Sequence, residues 1–591
     1  MKVSVLWLQK YFSDPLPDMA TLVDALTFHS FEVESSDERY GGVIDVNVLP
    51  NRAADCLSHR GIAKELSAIL KMPLKEDPLR ITPESFLETK VLKVSVDSEF
   101  VNRHIGAVVR GVTVGESPKW LKDALASVGQ KSINNIVDAT NYVMLDIGQP
   151  LHAFDFGKIQ KDGVASISIR SAKAGEEIAL LSGDTIQLGD DIHVIADEIS
   201  GMPLDIAGIK GGLHSGVGEN TKDLFISVGN YNGTIIRKTC QRLKILTDAS
   251  TRYQNHPSPV LTSYGMSAIL KLIPLLAGGE IEGVIDVYPV QKAPSEPVQV
   301  TVDQINTILG STFNAHDIED ALLRLDIPFE SKENTYIVSA PFERPDLTIS
   351  EDIAEEVGRI IGLDKVLPKE LKQISVIDQA RFKGIEKVKD FLVERGFTEV
   401  STQSFAKKGD VWLLNPLDKT KPALRTTLAE NLTDAFVKAK LYAPITVAPN
   451  VKPKVFEVGT VFSKEGERIA VQTSEPVPDI PEIAPDAEYV PKRYALSLYK
   501  SFSLYPFIVR DVAFWAPDTT DVGPTRSHIK ESAGPMLVRC TLFDTFSKEG
   551  RTSFAFRLVF QSHERTLTDE EVQGFMASVT EALTKKGWEV R

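Results

Sequence analysis

The chain has 591 residues and a mass of 65.1 kDa, about four domains' worth at roughly 150 residues each. It carries 42% hydrophobic residues, enough for several cores, and an ordinary 25% of charged ones. The net charge of −15 excludes a polybasic protein that binds nucleic acid by neutralising phosphates over its whole surface, but not an enzyme with local basic patches.

Cys56, Cys240 and Cys540 form no CxxC pair, which excludes a disulfide framework or a cysteine-built zinc site and suits a reducing cytosol. The first ten residues hold too short an apolar run for a signal peptide. The most apolar later stretch, Ile269 to Ala277, is interrupted by Lys271 and falls well short of the ~20 residues of a membrane helix. A soluble, cytoplasmic protein with no membrane segment is expected.

In chain order, residues 1–42 read as a small helical unit. Val43 to Leu49 then alternates with period two, as a strand does. Residues 43–288 are rich in short β-branched runs and glycine turns such as Gly208 to Gly212, the pattern of one large mixed α/β domain. Pro289, Pro294 and Pro297 mark a boundary. A helical, charged module occupies 293–368. In 369–475, amphipathic helices are expected at Lys383 to Arg395 and Leu428 to Leu441, and a strand at Lys454 to Phe462. Prolines among acidic residues make 476–496 a stiff linker.

Residues 497–591 read as a βαββαβ domain. Ile508 to Trp515 forms one strand, and Phe554, Phe556, Leu558 and Phe560 alternate along another. Thr568 with Glu571 makes a capping box that opens a helix to about Lys585, and Trp588 to Val590 is the last strand. This domain carries 11 Lys and Arg from Ser501 onward against 12 Asp and Glu, so nearly all the acidity lies elsewhere. The expected fold class is multidomain α+β.

Several short strings carry no chemistry. His104-Ile-Gly-Ala departs from the HIGH string of class I aminoacyl-tRNA synthetases at its fourth residue, with no KMSKS-like loop after it. Gly212-Leu-His-Ser-Gly216 has its serine displaced from the G-x-S-x-G elbow, and no Walker A or G-x-G-x-x-G loop is present. Two regions are denser. Asn134 to Asp155 sets Asn, Thr and His beside a Gly-Gln-Pro turn, and such groups must be hydrogen-bonded if buried. Arg344 to Arg359 begins with a Thr348–Glu351 capping box, and Asp352, Glu355 and Glu356 share one helical surface with Asp346 upstream. Clustered carboxylates suit a hard cation such as Mg²⁺ or an acidic first turn favoured by the helix dipole.

At these two regions the sequence resembles the β subunit of bacterial-type phenylalanyl-tRNA synthetase. The resemblance extends over nearly the whole chain. It is carried by Met1-Lys-Val-Ser-Val-Leu-Trp-Leu, by Pro50-Asn-Arg with Asp55-Cys-Leu-Ser58, and by Thr140-Asn-Tyr through Asp155. Leu246-Thr-Asp-Ala-Ser250, Arg425-Thr-Thr-Leu, Phe456-Glu-Val-Gly and Glu564 to Glu571 continue it.

The resemblance implies an editing domain at 43–288, small winged-helix-like units including a Mg²⁺-binding one at 293–368, a degenerate class II synthetase-like antiparallel module at 369–475 and a ferredoxin-like anticodon-binding domain at 497–591. It implies an α₂β₂ heterotetramer in which a separate α subunit uses ATP to charge tRNA(Phe) with phenylalanine. This subunit would hydrolyse mischarged tyrosyl-tRNA(Phe), because one added hydroxyl gives a hydrophobic pocket only ~100-fold discrimination.

By the same resemblance, His152, Thr140 and Asn141 are the editing residues, with Gly211, Thr247, Ala249 and Ser227 lining the pocket. Ser227 stands where relatives carry a glutamate, which implies weakened or altered editing. Asp346, Asp352, Glu355 and Glu356 would hold Mg²⁺ shared with the α subunit. The usual OB-fold insertion is missing between Tyr40 and Val43, which leaves Arg510, Arg557, Arg565, Lys585 and Lys586 as the expected tRNA contacts. The alternatives are a tRNA-binding scaffold that has lost editing and a free-standing aminoacyl-tRNA editing hydrolase.

Overall fold

The computed structural model describes all residues except 181–182, 292–294, 373–378, 495–497 and 500. Pro294 of the expected boundary, part of the 369–475 module and the junction at 496–497 therefore lie outside the described residues. The chain divides into two units, Met1–Glu370 and Leu371–Arg591.

The first 42 residues are not helical alone. Strands β1 (Lys2–Ser4) and β2 (Val33–Asp37) flank β3 (Val43–Val46) in an antiparallel sheet, with α1 (Met19–His29) between β1 and β2 and α2 (His59–Leu70) after β3. The boundary expected at residue 42 thus falls inside one folded element. Period-two alternation marks β3 as a strand, but not that its partners lie upstream. Val3, Trp7, Leu8, Leu26, Ile44 and Leu66 bury together. Residues 38–42 join β2 to β3, turning through Tyr40 at φ 55° and the positive-φ glycines 41 and 42. A connection this short holds no inserted domain.

A three-layer sandwich follows. Its first sheet has the order β12-β5-β11-β6, formed by β5 (Val101–Arg110), β6 (His152–Asp155), β11 (Leu224–Tyr231) and β12 (Glu280–Val287), all antiparallel. Its second sheet has the order β10-β9-β8-β7-β4. The strands are β4 (Leu92–Val96), β7 (Val164–Ser171), β8 (His193–Asp197), β9 (Pro203–Ile206) and β10 (Lys210–Gly211), with the short strand Gln160–Lys161 beside β7.

Every residue of β11 is buried, as expected of a strand covered on both faces. Ile105, Ala107, Ile226 and Val228 pack on α3 (Asn135–Ile147) and α5 (Leu261–Ala277). Val108, Phe154 and Phe225 pack on the second sheet at Ile167, Ile169 and Ile206. The short helix α4 (Asp248–Tyr253) closes one end of the sandwich.

The last part of the first unit is a small three-stranded sheet, β13 (Val298–Thr301), β14 (Phe329–Lys332) and β15 (Thr335–Val338), in the order β13-β15-β14. It packs with α6 (Val302–Leu309), α7 (Ala315–Arg324) and α8 (Ser350–Ile361). The helix α8 does not open on Thr348 and Glu351. The Asp352 carboxylate instead accepts hydrogen bonds from the backbone N–H of Thr348 and Ile349 at 2.8 and 2.9 Å.

In the second unit, α9 (Ala380–Val393) and α10 (Ala429–Leu441) accompany a small sheet of β16 (Thr398–Glu399), β17 (Val455–Ser463) and β18 (Gly466–Thr473). The β16–β17 pair is parallel, so this sheet is not purely antiparallel as expected. The chain then ends in β19 (Ile508–Pro517), α11 (Val522–Ala533), β20 (Leu537–Lys548), β21 (Arg551–Phe560), α12 (Asp569–Lys585) and β22 (Glu589–Val590), in the sheet order β20-β21-β19-β22. That is the expected βαββαβ arrangement. Thr568 and Glu571 form the expected capping box at the start of α12. No described helix is long and apolar enough to cross a membrane.

Candidate functional site

Between the two sheets of the sandwich lies a cavity of about 80 Å³. Its first wall is set by register. Ser227 of β11 pairs with His152 of β6 on one side and Gly106 of β5 on the other. Side chains alternate along a strand, so His104, His152 and Ser227 point, with Phe154 and Phe225, toward the second sheet. In that sheet Asp205 pairs with Ile195 and Gly211. The lining residues used below are His152, Ser227, Ile195, Asp205, Tyr231 and Ala249.

Two lining side chains, His152 and Asp205, each have a buried polar atom with no partner. His152 Nε2 is shielded from solvent and accepts or donates no hydrogen bond. The ring stands edge-on to Phe154 at 4.5 Å, and burial pushes its pKa down to about 4, so it is a neutral imidazole at neutral pH. Ser227 Oγ lies 2.9 Å from His104 Nε2. Burial also lowers the His104 pKa to about 4, and its Nδ1 has no partner. Tyr231 fits against the cavity because Gly208 and Gly229 leave it room. A Cβ on Gly229 would collide with the Tyr231 hydroxyl.

Four of the seven editing residues expected from the sequence, His152, Gly211, Ser227 and Ala249, line this cavity. Thr247 stands behind the wall. It caps α4 and its hydroxyl donates to the Ile209 carbonyl at 3.0 Å, which ties down the loop before Gly211. Thr140 and Asn141 sit on α3 outside the lining, and Thr140 Oγ1 donates to Val137 O within its own helix. Asp205, Tyr231 and Tyr253 line the cavity but were missed. Asp205 was the readable signal, an acidic residue in the apolar run Pro203–Ile206.

The expected Mg²⁺ residues behave differently. Asp346 receives Arg344 Nη2 at 2.7 Å, and Glu356 receives Arg344 Nη1 at 2.9 Å and Arg359 Nη2 at 2.6 Å. Burial pushes the Glu356 carboxyl upward, but Arg359, Arg344 and Arg52 outweigh it and hold it well below the usual range. Asp352 caps its helix, and Glu355 is exposed with no ion-pair partner among the described residues. No three of these four bring ligand atoms within 4.8 Å of one another.

The metal-type cluster that does occur among the described residues is Asp55, Cys56 and Glu65. Arg52 Nη2 already donates to Glu65 at 2.5 Å, to Asp55 at 2.7 Å and to Cys56 Sγ at 3.3 Å. A guanidinium is the cation at this cluster. Among the described residues, the four expected carboxylates do not converge on one point within this chain.

In the C-terminal domain the five expected tRNA contacts do not gather on one surface. Arg510 is in step with Val512 and Phe514 on the helix-covered face, whereas Arg557 is in step with Asp511 on the open face. Arg510 pairs with Asp569, Arg557 with Asp511, Arg565 with Glu571 and Lys585 with Glu581, while Lys586 lies over Trp588. The open face adds groups not singled out from sequence. Arg551 and Arg591 lie 5.6 and 6.0 Å from the Trp515 ring centre, and Arg557 lies 5.0 Å from that of Phe543. Such rings and guanidinium planes suit stacking on unpaired bases.

Three family models match the chain: the B3/4 domain at residues 101–278, the tRNA synthetase B5 domain at 298–363 and the ferredoxin-fold anticodon binding domain at 503–591. The phenylalanine–tRNA ligase beta subunit of Aquifex aeolicus is 30% identical, over 93% of this chain and 80% of its own length. That of Clostridium acetobutylicum is 30% identical over 92% and 79%. That of Porphyromonas gingivalis is 33% identical over 65% and 49%. Among solved structures, an N-terminal fragment of the phenylalanyl-tRNA synthetase beta subunit from Pyrococcus horikoshii is 16% identical, with a TM-score of 0.36, over 61% of this chain and 99% of that one.

Proposed function

The chain belongs to the phenylalanine–tRNA ligase beta subunit family, and from that premise we propose two roles for it. It supports the ATP-dependent charging of tRNA(Phe) with phenylalanine by an alpha subunit, as half of an α₂β₂ assembly. Its intersheet cavity hydrolyses tyrosyl-tRNA(Phe) made in error. The observation that carries the second role is His152, a neutral imidazole whose buried Nε2 has no protein partner on the cavity wall.

Hydrolysis of an aminoacyl ester needs a water oriented at the carbonyl and a group to take its proton. A neutral imidazole nitrogen does both. Gly211 and Ala249 keep the wall small, and Thr247 fixes the loop that carries it. Ser227, held by His104, supplies no carboxylate of its own. Thr140 and Asn141 are left out of this set because they lie outside the lining.

The Mg²⁺ and ATP of the charging reaction are assigned to the alpha subunit. Within this chain Asp346 and Glu356 are partners of arginines. The tRNA surface is proposed to be the open face of the C-terminal sheet, around Trp515, Phe543, Arg551 and Arg557, and the cytoplasm is the proposed location.

The test is co-expression with a class II alpha subunit, followed by assays of tRNA(Phe) charging and of tyrosyl-tRNA(Phe) deacylation. His152→Ala should slow deacylation by roughly 100-fold or more, the contribution of a general base, in tetramers that still assemble. Deacylation at the wild-type rate in that variant would remove the cavity from the reaction.

A further inference from the structure

Asp205 is buried in the cavity wall without a partner. It is 5% exposed, and its Oδ1 is shielded from solvent with no hydrogen bond. Its neighbours across the strands are Ile195 and Gly211, and the aromatic residues Tyr231 and Tyr253 line the same space. No described cation forms an ion pair with it. Lys210, one strand away, lines the cavity without bonding to it.

Buried polar groups are nearly always paired, and leaving one unpaired costs about 1–3 kcal/mol. An apolar side chain would pack this position at no such cost. The carboxyl is therefore a feature of the site and not of the fold.

Resting on the editing reading above, we propose that Asp205 reads the para-hydroxyl of a tyrosyl ester bound in this cavity, supplying the carboxyl acceptor that Ser227 does not. The argument follows from what a tyrosyl ester offers. Its ammonium and ester groups are shared with phenylalanyl-tRNA, the correct product that the site must spare. The phenol hydroxyl alone separates the two.

A site with a buried hydrogen-bonding group rejects the analogue that lacks the matching hydroxyl far more strongly than an apolar pocket can, because the group is then left unpaired. Asp205 is such a group, set among Ile195, Tyr231 and Tyr253, which suit a ring. Burial also pushes its pKa up to about 8, and a neutral carboxyl still accepts the phenol proton through its carbonyl oxygen. His152, on the opposite sheet, is left to act at the ester. Recognition and hydrolysis are thus divided between the two sheets.

The experiment uses the holoenzyme assembled with the alpha subunit. Deacylation of tyrosyl-tRNA(Phe) and of phenylalanyl-tRNA(Phe) is measured for the wild type, Asp205→Ala and Asp205→Asn. In Asp205→Ala the tyrosyl-to-phenylalanyl ratio of kcat/KM should fall at least ~10-fold, mainly through a higher KM for the tyrosyl substrate. Asp205→Asn, which keeps a carbonyl acceptor, should restore most of the ratio.

The thermal midpoint of Asp205→Ala should not drop below the wild type, whereas a structural carboxylate would lower it. If alanine prevents assembly, Asp205→Leu, which fills more of the space, carries the same expected loss. An unchanged ratio in the alanine or leucine variant overturns the role of Asp205 while leaving the editing reading intact. A wild-type holoenzyme that does not deacylate tyrosyl-tRNA(Phe) overturns both.

Discussion

Two regions of the first unit bury charge, and they do so in opposite ways. Around Arg52, Arg344 and Arg359, every guanidinium faces carboxylates of Asp55, Glu65, Asp346 or Glu356 at hydrogen-bonding distance. This lattice joins α2 and the segment before it to α8. In the cavity, His152 Nε2 and Asp205 Oδ1 face no protein partner. Burial acts on both regions. Paired charges keep their ionised forms, while unpaired groups retreat to neutral ones. Of the carboxylates that look most like a metal site in sequence, Asp346 and Glu356 are partners of arginines, whereas Asp205, inside a strand, keeps a buried oxygen with no bond.

The most severe way to break this contrast is to unpair the lattice. Arg359 bonds Glu65 through Nη1 at 2.5 Å and Glu356 through Nη2 at 2.6 Å, and its backbone carbonyl lies 2.7 Å from His29 Nδ1. Arg359→Met leaves two buried carboxylates short of a cation, and removal of one partner from a buried pair costs about 3–5 kcal/mol. Urea unfolding should show a loss of that size. A loss below about 1 kcal/mol would mean that the lattice is solvated and the contrast false.

Acid and base should then act on the two regions with opposite signs. Burial raises the Glu65 pKa, but Arg359 and Arg52 override it and bring it from the ordinary 4.5 to about 2. Its contribution is complete above pH 4.5 and is lost as pH falls toward 2. The Asp205 pKa is raised from 3.8 to about 8, so its contribution is complete below pH 3.8 and is lost as pH rises through 8. The stability of Asp205→Ala minus that of the wild type should therefore grow from pH 4 to pH 8 and level off beyond. A flat difference would show that Asp205 is solvated.

How much of this was legible depended on the range of the interactions. The C-terminal βαββαβ order, the Thr568–Glu571 cap and the alternation of Phe554 to Phe560 are local patterns, and the structure repeats them. The β1–β3–β2 sheet closes over forty residues, beyond any local period, so residues 1–42 looked helical alone. Acidic residues at i, i+3 and i+4 place carboxylates near one another on a helix, but nothing in that spacing announces Arg52 arriving from another element. His152, Gly211, Ser227 and Ala249 were reached through resemblance. Asp205 was not: an acidic residue in an apolar run is a signal in sequence, but the absence of its partner shows only in the packing.

Smaller effects sharpen the contrast. Ser227 Oγ and His104 Nε2 form the paired contact at the edge of the cavity. Ser227→Ala leaves the buried His104 ring, whose Nδ1 is already partnerless, with no bond at either nitrogen. A loss of about 1–2 kcal/mol in urea unfolding is expected, below that of Arg359→Met because no ionised group is stranded. A loss as large as that of Arg359→Met would assign Ser227 to the lattice type of burial.

The smallest effect is expected where neither kind of burial applies. Arg557 pairs with Asp511 at 2.7 Å on the open face of the C-terminal sheet, with side-chain exposures of 31% and 41%. Water can solvate Asp511 once its partner is gone, so Arg557→Ala removes a screened attraction and strands nothing. Exposed pairs contribute about 0–1 kcal/mol, and the unfolding midpoint in urea should barely move. A loss above about 1 kcal/mol would show that pairing alone stabilises this protein, whether or not the charges are buried. The distinction between the arginine lattice and the cavity would then rest on the count of bonds and not on desolvation.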